Sequence, residues 1–263
     1  MPPHTFYRGR TALVTGASGG IGADMARLLG GYGARVLLVA RSADALAAVA
    51  DEVRQRGGEA AVYAADLQPA GAAAELAARV AAGGETVDVL VNNAGFGVQG
   101  PFLDAAPADV SGMVGLNVAA PTDLVRRFLP GMVERRRGGV LNVASIAAWT
   151  PAPRFAVYAA TKAYVLSLTE ALHVEVRGAG VHVSGLCPGP VRTGFADRAG
   201  MGERFFAGGL PSRRVACEGL EGLAANRRRV VPGWSAKLQT AAVRFVPPRL
   251  LLEATERIVR RAD

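Results

Sequence analysis

A tyrosine and a lysine stand four residues apart in Val157-Tyr158-Ala159-Ala160-Thr161-Lys162. On a helix that spacing puts both side chains on one face, one turn from each other. A phenol titrates near pH 10, and a positive charge held beside its hydroxyl favours the phenolate and draws that value down. The pair therefore reads as a proton donor tuned towards neutral pH. Lys162 is one of only two lysines, the other being Lys237. An isolated Tyr-x-x-x-Lys is more often an ordinary helix face, so its meaning depends on what else the chain supplies.

Gly16, Gly20 and Gly22 follow the apolar run Thr11–Thr15 in the spacing GxxxGxG and precede the helical pattern Met25, Leu28, Leu29. Glycine at such a strand-to-helix turn allows the backbone to approach a pyrophosphate resting on the helix N-terminus, where amides point outward. Its place in the first βα unit favours a dinucleotide site over a merely structural turn. A second apolar run, Arg35–Ala40, ends in Arg41-Ser42. An acidic residue there would accept from the ribose 2′-hydroxyl of NAD. The guanidinium of Arg41 suits a 2′-phosphate instead, with Ser18 and Ser42 as further donors, so the cofactor expected is NADP(H). Asp66, after a third run, is placed either to bond an adenine amino group or to cap a helix. Asn92-Asn93-Ala94-Gly95, after a fourth, is either a plain turn or a small-residue ledge whose amides tie neighbouring loops together.

These motifs need a scaffold that brings strand ends together. Short apolar runs at Thr11–Thr15, Arg35–Ala40, Ala60–Ala65, Val87–Val91, Gly139–Ala144 and Val181–Leu186 alternate with helical patterns, and Arg228–Val231 adds a short edge strand. Two helices are expected near Ala108–Val118 and Pro121–Arg137, and the Tyr158 helix over Phe155–Arg177. That alternation means βαβ units and a parallel sheet. Periodicity fails between Val191 and Pro211, which reads as a substrate lid near 190–211, and a helical tail runs near 234–262, broken at Pro247-Pro248. No linker or repeat divides the 263 residues, so one domain is expected.

The formal charge of +8 is scattered, which suits a solvated surface and an anionic ligand; no motif points to nucleic acid. Cys187 and Cys217 have neither zinc nor disulfide spacing, the start Met1-Pro2-Pro3-His4 leads to a strand without a signal region, and no run is long enough to span a membrane. A cytoplasmic location follows as the expectation.

TGASGGIG, Asp66-Leu67, NNAG, Asn117, Ser145, YAATK and Pro188-Gly189, in this order and at these intervals, resemble the short-chain dehydrogenase/reductase family, in its single-domain branch of about 250 residues. The likeness covers about Arg10 to Thr193 and continues more weakly to Gly233. It implies a Rossmann-type doubly wound parallel sheet of about seven strands with helices on both faces. It implies Tyr158 as general acid in reduction and base in oxidation, and Lys162 lowering the Tyr158 pKa and binding the nicotinamide ribose. Ser145 would hold the substrate carbonyl, and Asn117 would kink its helix and hold a water linking Lys162 to solvent. Gly16, Ser18, Gly20, Ile21 and Gly22 would meet the pyrophosphate and nearby ribose, Asp66 and Leu67 the adenine, and Asn93, Ala94 and Gly95 the adenosine ribose. Pro188, Gly189, Val191 and Thr193 would border the nicotinamide. A homodimer or homotetramer through the helices near Pro121–Arg137 and Phe155–Arg177 is implied by the same resemblance.

The reaction expected is NADP(H)-dependent reduction of a ketone or aldehyde to an alcohol. Ala147, Trp149, Pro151, Phe155, Phe195, Met201, Phe205 and Phe206, with Phe96, suggest a hydrophobic carbonyl pocket, although such aromatics also simply pack lids. In the tail, Leu250, Leu251, Ala254, Ile258 and Val259 at helical spacing pack on the body or a second subunit, or rest on an anionic membrane surface. Two competitors are weaker. A cofactor-binding sensor on the same fold would not be expected to keep all of Asn117, Ser145, Tyr158 and Lys162. An epimerase or dehydratase of the longer branch would show GxxGxxG and an extended substrate domain. His173, far along the helix from Tyr158, and Cys187 are read as packing residues.

Overall fold

The computed structural model describes residues 3–195, 199–201 and 208–260. Its strands are β1 (Thr11–Thr15), β2 (Arg35–Ala40), β3 (Glu59–Ala64), β4 (Val89–Asn92), β5 (Gly138–Val143), β6 (Val181–Leu186), β7 (Val191–Arg192), β8 (Leu210–Pro211) and β9 (Arg229–Val230). Seven of them form one parallel sheet in the order β3-β2-β1-β4-β5-β6-β9, and β7 and β8 pair separately. Strands β1, β4 and β5 are almost wholly buried. A parallel sheet covered on both faces requires such continuous apolar runs.

The period of two within those runs builds two cores. Leu13, Leu37, Val39, Leu90 and Val140 point to one face. Ala12, Val14, Val36, Leu38, Val89, Val91 and Leu141 point to the other. Helices α4 (Ala72–Ala82), α5 (Pro107–Val114), α6 (Ala120–Glu134) and α7 (Ala156–Glu175) cover the first face through residues such as Leu76, Met113, Leu124 and Ala159. Helices α2 (Gly20–Gly31), α3 (Ala43–Gln55) and α8 (Ser212–Ala224) cover the second through Met25, Leu29, Leu46 and Leu220. Each fully buried side chain of this size contributes about 1.5–3 kcal/mol.

The strand order reverses between β1 and β4. In a doubly wound sheet this divergence opens a crevice beyond the carboxyl ends of the strands. The Gly16 turn follows β1 and Asn93 follows β4, so both border that crevice.

Three elements depart from expectation. A short helix α1 (Pro3–Tyr7) precedes β1, where the sequence leads straight to a strand. Tyr7 is fully buried, its hydroxyl donates to the Leu220 carbonyl at 2.7 Å, and Phe6 stacks on His182. Two adjacent aromatics needed cover, and α8 provides it. The helices expected near Ala108–Val118 and Pro121–Arg137 run together through a π turn over Gly115–Ala119. The tail forms α9 (Trp234–Ala242), a 3₁₀ turn (Val243–Phe245) and α10 (Pro248–Arg260), broken at the prolines as expected. No helix among the described residues is long and apolar enough to cross a membrane.

Candidate active site

Tyr158 and Lys162 lie in the first two turns of α7, both buried. Ser145 follows β5 and caps a 3₁₀ turn over Ile146–Trp149, its Oγ accepting from the Ala147 amide at 3.1 Å. The Ser145 hydroxyl lies near the Tyr158 phenol and favours its ionised form. Burial outweighs that effect and pushes the phenol up to about 12. The expected activation by Lys162 is therefore overridden here by desolvation. The ammonium sits 5.7 Å from the Tyr158 ring centroid, and Nζ donates to the Val143 carbonyl at 2.8 Å. Burial draws Lys162 down to about 8. Cys187, fully buried, is itself pushed up to about 12 and stays a thiol.

Asn117 sits at the centre of the π turn and is 2% exposed. Its Nδ2 donates to the Phe96 carbonyl (2.8 Å) and to Thr161 Oγ1 (3.1 Å), and its Oδ1 accepts from the Phe96 amide (3.1 Å). Thr161 Oγ1 donates in turn to the Tyr158 carbonyl at 2.7 Å. One amide thus locks the loop after β4 to the turn of α7 that carries the tyrosine. The extra residue of a π turn is what re-aims a side chain out of the regular helical ladder. Both Nδ2 hydrogens are occupied, so a water held by this side chain would have to donate to Oδ1.

The glycine turn fits a phosphate cradle. Gly16 and Gly20 have φ of 66° and 54°, the left-handed region where a side chain is strained. A methyl group on Gly22 would overlap the Gly16 carbonyl oxygen. Helix α2 begins without a side-chain cap, leaving its first amides for another partner. Asn93 braces the turn, its Nδ2 donating to the carbonyls of Thr15 (3.0 Å) and Gly16 (3.2 Å). Thr15 Oγ1 accepts from the amides of Asn93 and Ala94, both at 3.0 Å. Ser42 caps α3, with Oγ accepting from the Ala45 amide. Arg41 beside it is exposed, and among the described residues no carboxylate pairs with it. Asp66 caps no helix, since α4 starts from Gly71; its Oδ1 accepts from the Gln68 amide at 3.0 Å in a local turn, and it borders the same cavity as the glycine turn.

One cavity of about 750 Å³ joins these parts. It is bordered by Gly16, Ser18, Gly20 and Ile21, by Arg41, Asp66 and Leu67, and by Asn93, Ala94 and Gly95. Ser145, Tyr158, Lys162, Pro188, Gly189, Val191 and Thr193 border it further along. Gly22 and Asn117 stand behind the wall. Of the pocket residues expected, Ala147, Phe155, Phe195 and Met201 line the cavity. Phe96 is buried in the core, Pro151 is exposed, and Trp149 lines a separate small cavity with Val231 and Phe245. Phe205 and Phe206 lie outside the described residues.

Sequence reading missed Thr15, Thr161 and Asn142. Asn142 Oδ1 accepts from Asn92 at 2.8 Å and its Nδ2 donates to Thr169 at 2.9 Å, a buried polar link from β4 through β5 to α7. Asparagine and threonine inside otherwise apolar runs are the signal for such a link, since buried polar groups need partners. It expected the tail helix but not its place at the site: Leu251, Ala254, Thr255 and Val259 of α10 line the cavity.

A doubly wound sheet, a glycine cradle at its switch point and a Ser–Tyr–Lys group at the same strand ends define a dinucleotide-binding oxidoreductase architecture. The short chain dehydrogenase family model matches residues 10–203. The chain belongs to the short-chain dehydrogenase/reductase family. It is 35% identical over 213 residues to ketoacyl reductase HetN of Nostoc sp., covering 81% of this chain and 74% of that one. It is 38% identical over 189 residues to a short chain dehydrogenase of Pseudocercospora fijiensis, covering 71% of this chain and 61% of that one. Among solved structures, the Sphingobium yanoikuyae short-chain dehydrogenase in complex with NADPH superposes with a TM-score of 0.82 at 28% identity, over 90% of this chain and 92% of that one. A family member from Burkholderia phymatum in complex with NAD superposes at 0.81 and 29%, over 90% and 93%.

Proposed function

We propose that the protein is a single-domain NADP(H)-dependent oxidoreductase that reduces an apolar ketone or aldehyde to the alcohol. The observation that carries this reading is that Ser145, Tyr158 and Lys162 line the same cavity as the glycine cradle. The cradle's geometry fits a dinucleotide, which when bound supplies the hydride.

The chain's own residues do the rest. Ser145 and Tyr158 present two hydroxyls to one carbonyl oxygen and stabilise the negative charge that develops there. Tyr158, holding its proton to about pH 12, donates it from Oη to the forming alkoxide. Among the described residues Lys162 is the one ammonium lining the cavity. One of its three N–H groups is held by Val143, which leaves two for ribose hydroxyls. Its charge also stabilises the phenolate left after transfer. Asn117 positions this group, and a water donating to its Oδ1 carries the replacement proton. The first amides of α2, with Gly16, Ser18, Gly20 and Ile21, hold the pyrophosphate, and Gly22 keeps the helix close to β1. Asp66 and Leu67 flank the adenine, and Asn93, Ala94 and Gly95 the adenosine ribose. Pro188, Gly189, Val191 and Thr193 seat the nicotinamide.

NADP(H) is preferred to NAD on the strength of Arg41, which lines the cavity and is paired with no carboxylate among the described residues. Phe155 and Phe195 pack around Tyr158, with ring centroids 4.3 and 5.6 Å away, and give the carbonyl an apolar approach. Association into a homodimer or homotetramer through α6 and α7 belongs to the same reading. Exposed Tyr164 and Val174 on α7 support it.

The test is Tyr158→Phe. The expected outcome is a loss of about 10²–10⁴-fold in kcat for carbonyl reduction, with the Kd for NADPH within a few-fold of wild type. Normal turnover by the variant would reject Tyr158 as the acid.

A further inference from the structure

The tail helix α10 borders the same cavity as the hydroxyl pair. Leu251, Ala254, Thr255 and Val259 fall at i, i+3, i+4 and i+8, one face of the helix, and all four line it. The Thr255 hydroxyl donates to the Leu251 carbonyl within its own helix at 2.7 Å, so the polar atom is already satisfied there. Gln99 fastens this wall. Its Nε2 donates to the Val259 carbonyl at 3.0 Å, and its backbone amide donates to the Ala199 carbonyl at 2.9 Å, two residues before Met201 of the same cavity. One residue of the loop after β4 therefore holds both α10 and the segment bearing Met201.

Charge is distributed unevenly along this cavity. Among the described lining residues only Arg41, Asp66 and Lys162 are charged, and all three belong to the nucleotide-and-proton end. Among the described residues, the stretch walled by Phe195, Met201 and α10 offers apolar surface with Gln239 and no cation. An ionised group on a substrate reaching that stretch would be desolvated without a partner.

We propose that α10 is the substrate-selecting wall of this enzyme, that Ala254 sets how far a substrate arm can extend, and that the substrate class is a ketone carrying a long, uncharged apolar arm. Gln99 is the positioning residue that holds the wall. The proposal rests on the carbonyl-reducing reading above.

Three ketones test it: 2-butanone, 2-dodecanone and 11-oxododecanoate. The last two share a methyl ketone and chain length and differ in whether the far end is charged. The full-length protein with NADPH is expected to show kcat/KM at least tenfold higher for 2-dodecanone than for either of the others. Ala254→Phe, which fills the wall, is expected to lower the ratio of kcat/KM for 2-dodecanone over 2-butanone at least tenfold. Gln99→Leu is expected to raise KM for 2-dodecanone several-fold with a much smaller change in kcat, a split that a general loss of fold would not give. Circular dichroism melts establish that each variant is folded. Should Ala254→Phe not fold, the Gln99→Leu split and the carboxylate comparison decide. A long-to-short ratio unmoved by the folded variants, or a preference for the carboxylate, would overturn the proposal. Absence of turnover on all three would count against the carbonyl-reducing reading instead. Calorimetric titration of 2-dodecanone into the NADP⁺-saturated protein would then decide this one: binding that Ala254→Phe abolishes supports it, and no binding to the wild type overturns it.

Discussion

At the scale of single residues, the site is a balance between burial and charge. Tyr158 keeps its proton to about pH 12, and Lys162 keeps its charge only to about pH 8. A group whose neutral form is favoured by burial loses its charge early, so the useful form of Lys162 is present below about pH 8 and disappears above it. For ketone reduction the pH profile of kcat/KM should therefore be flat up to about pH 8 and fall roughly tenfold per pH unit beyond it, reflecting Lys162 rather than Tyr158. A plateau extending to pH 10 would show that the lysine charge is not required. In the proposed reading Arg41 carries the cofactor choice. Arg41→Asp replaces a phosphate partner with a charge that repels it, and the ratio of kcat/KM for NADPH over NADH should drop at least 100-fold, about 3 kcal/mol. An unchanged ratio would remove Arg41 from that role. These residues were legible in the sequence because their types are scarce or oddly placed: one of two lysines, and an arginine where an acid would read NAD. Their environment was not legible. The spacing of Tyr158 and Lys162 gives proximity, but the extent of burial that reverses the expected pKa direction comes from Phe155, Phe195 and the loop after β4 packing around them.

At the scale of elements, the π turn over Gly115–Ala119 is the joint on which the site depends. It turns Asn117 inward to hold Phe96 and Thr161, and through Thr161 the start of α7. Asn117→Ala would remove three hydrogen bonds from a buried position and leave their partners unsatisfied. A loss of about 3 kcal/mol is expected, roughly 6–12 °C in Tm, together with loss of turnover. A variant melting within 2 °C of wild type would mean that the loop and helix are held by packing alone. The strands and their order were readable because a parallel sheet buried on both faces imposes continuous apolar runs, and the switch point followed from the glycine turn. The resemblance implied a kink at Asn117, but the π turn that makes it was hidden in the periodicity, since the sequence on either side is ordinarily helical and one extra residue per turn leaves no compositional trace. Helix α1 was hidden for a different reason: five residues are too few for a periodic signal, and Phe6 and Tyr7 are fixed by tertiary contacts with His182 and Leu220.

At the scale of the whole molecule, the glycine turn, the Ser145–Tyr158–Lys162 group and α10 come from the start, middle and end of the chain and line one cavity beyond the sheet. The tail shows how far sequence reading reached. Its amphipathic spacing pointed to a partner surface, and the structure gives α10 a partner within the chain, the cavity itself. Spacing marks a buried stripe without saying what covers it, and here the answer depends on Gln99, 160 residues away in sequence. Outward-facing Leu250 and Leu252 remain exposed beside it, as do Trp234, Leu238 and Phe245 earlier in the tail. The central claim is that this assembly turns over rather than merely binding a dinucleotide. The most direct measurement is NADPH oxidation by the wild-type protein across a panel of apolar ketones and aldehydes, with the alcohol product quantified. The account predicts many equivalents of alcohol per protein, one per NADPH consumed, on at least one panel member. Saturable NADPH binding with no alcohol formed from any of them would contradict it.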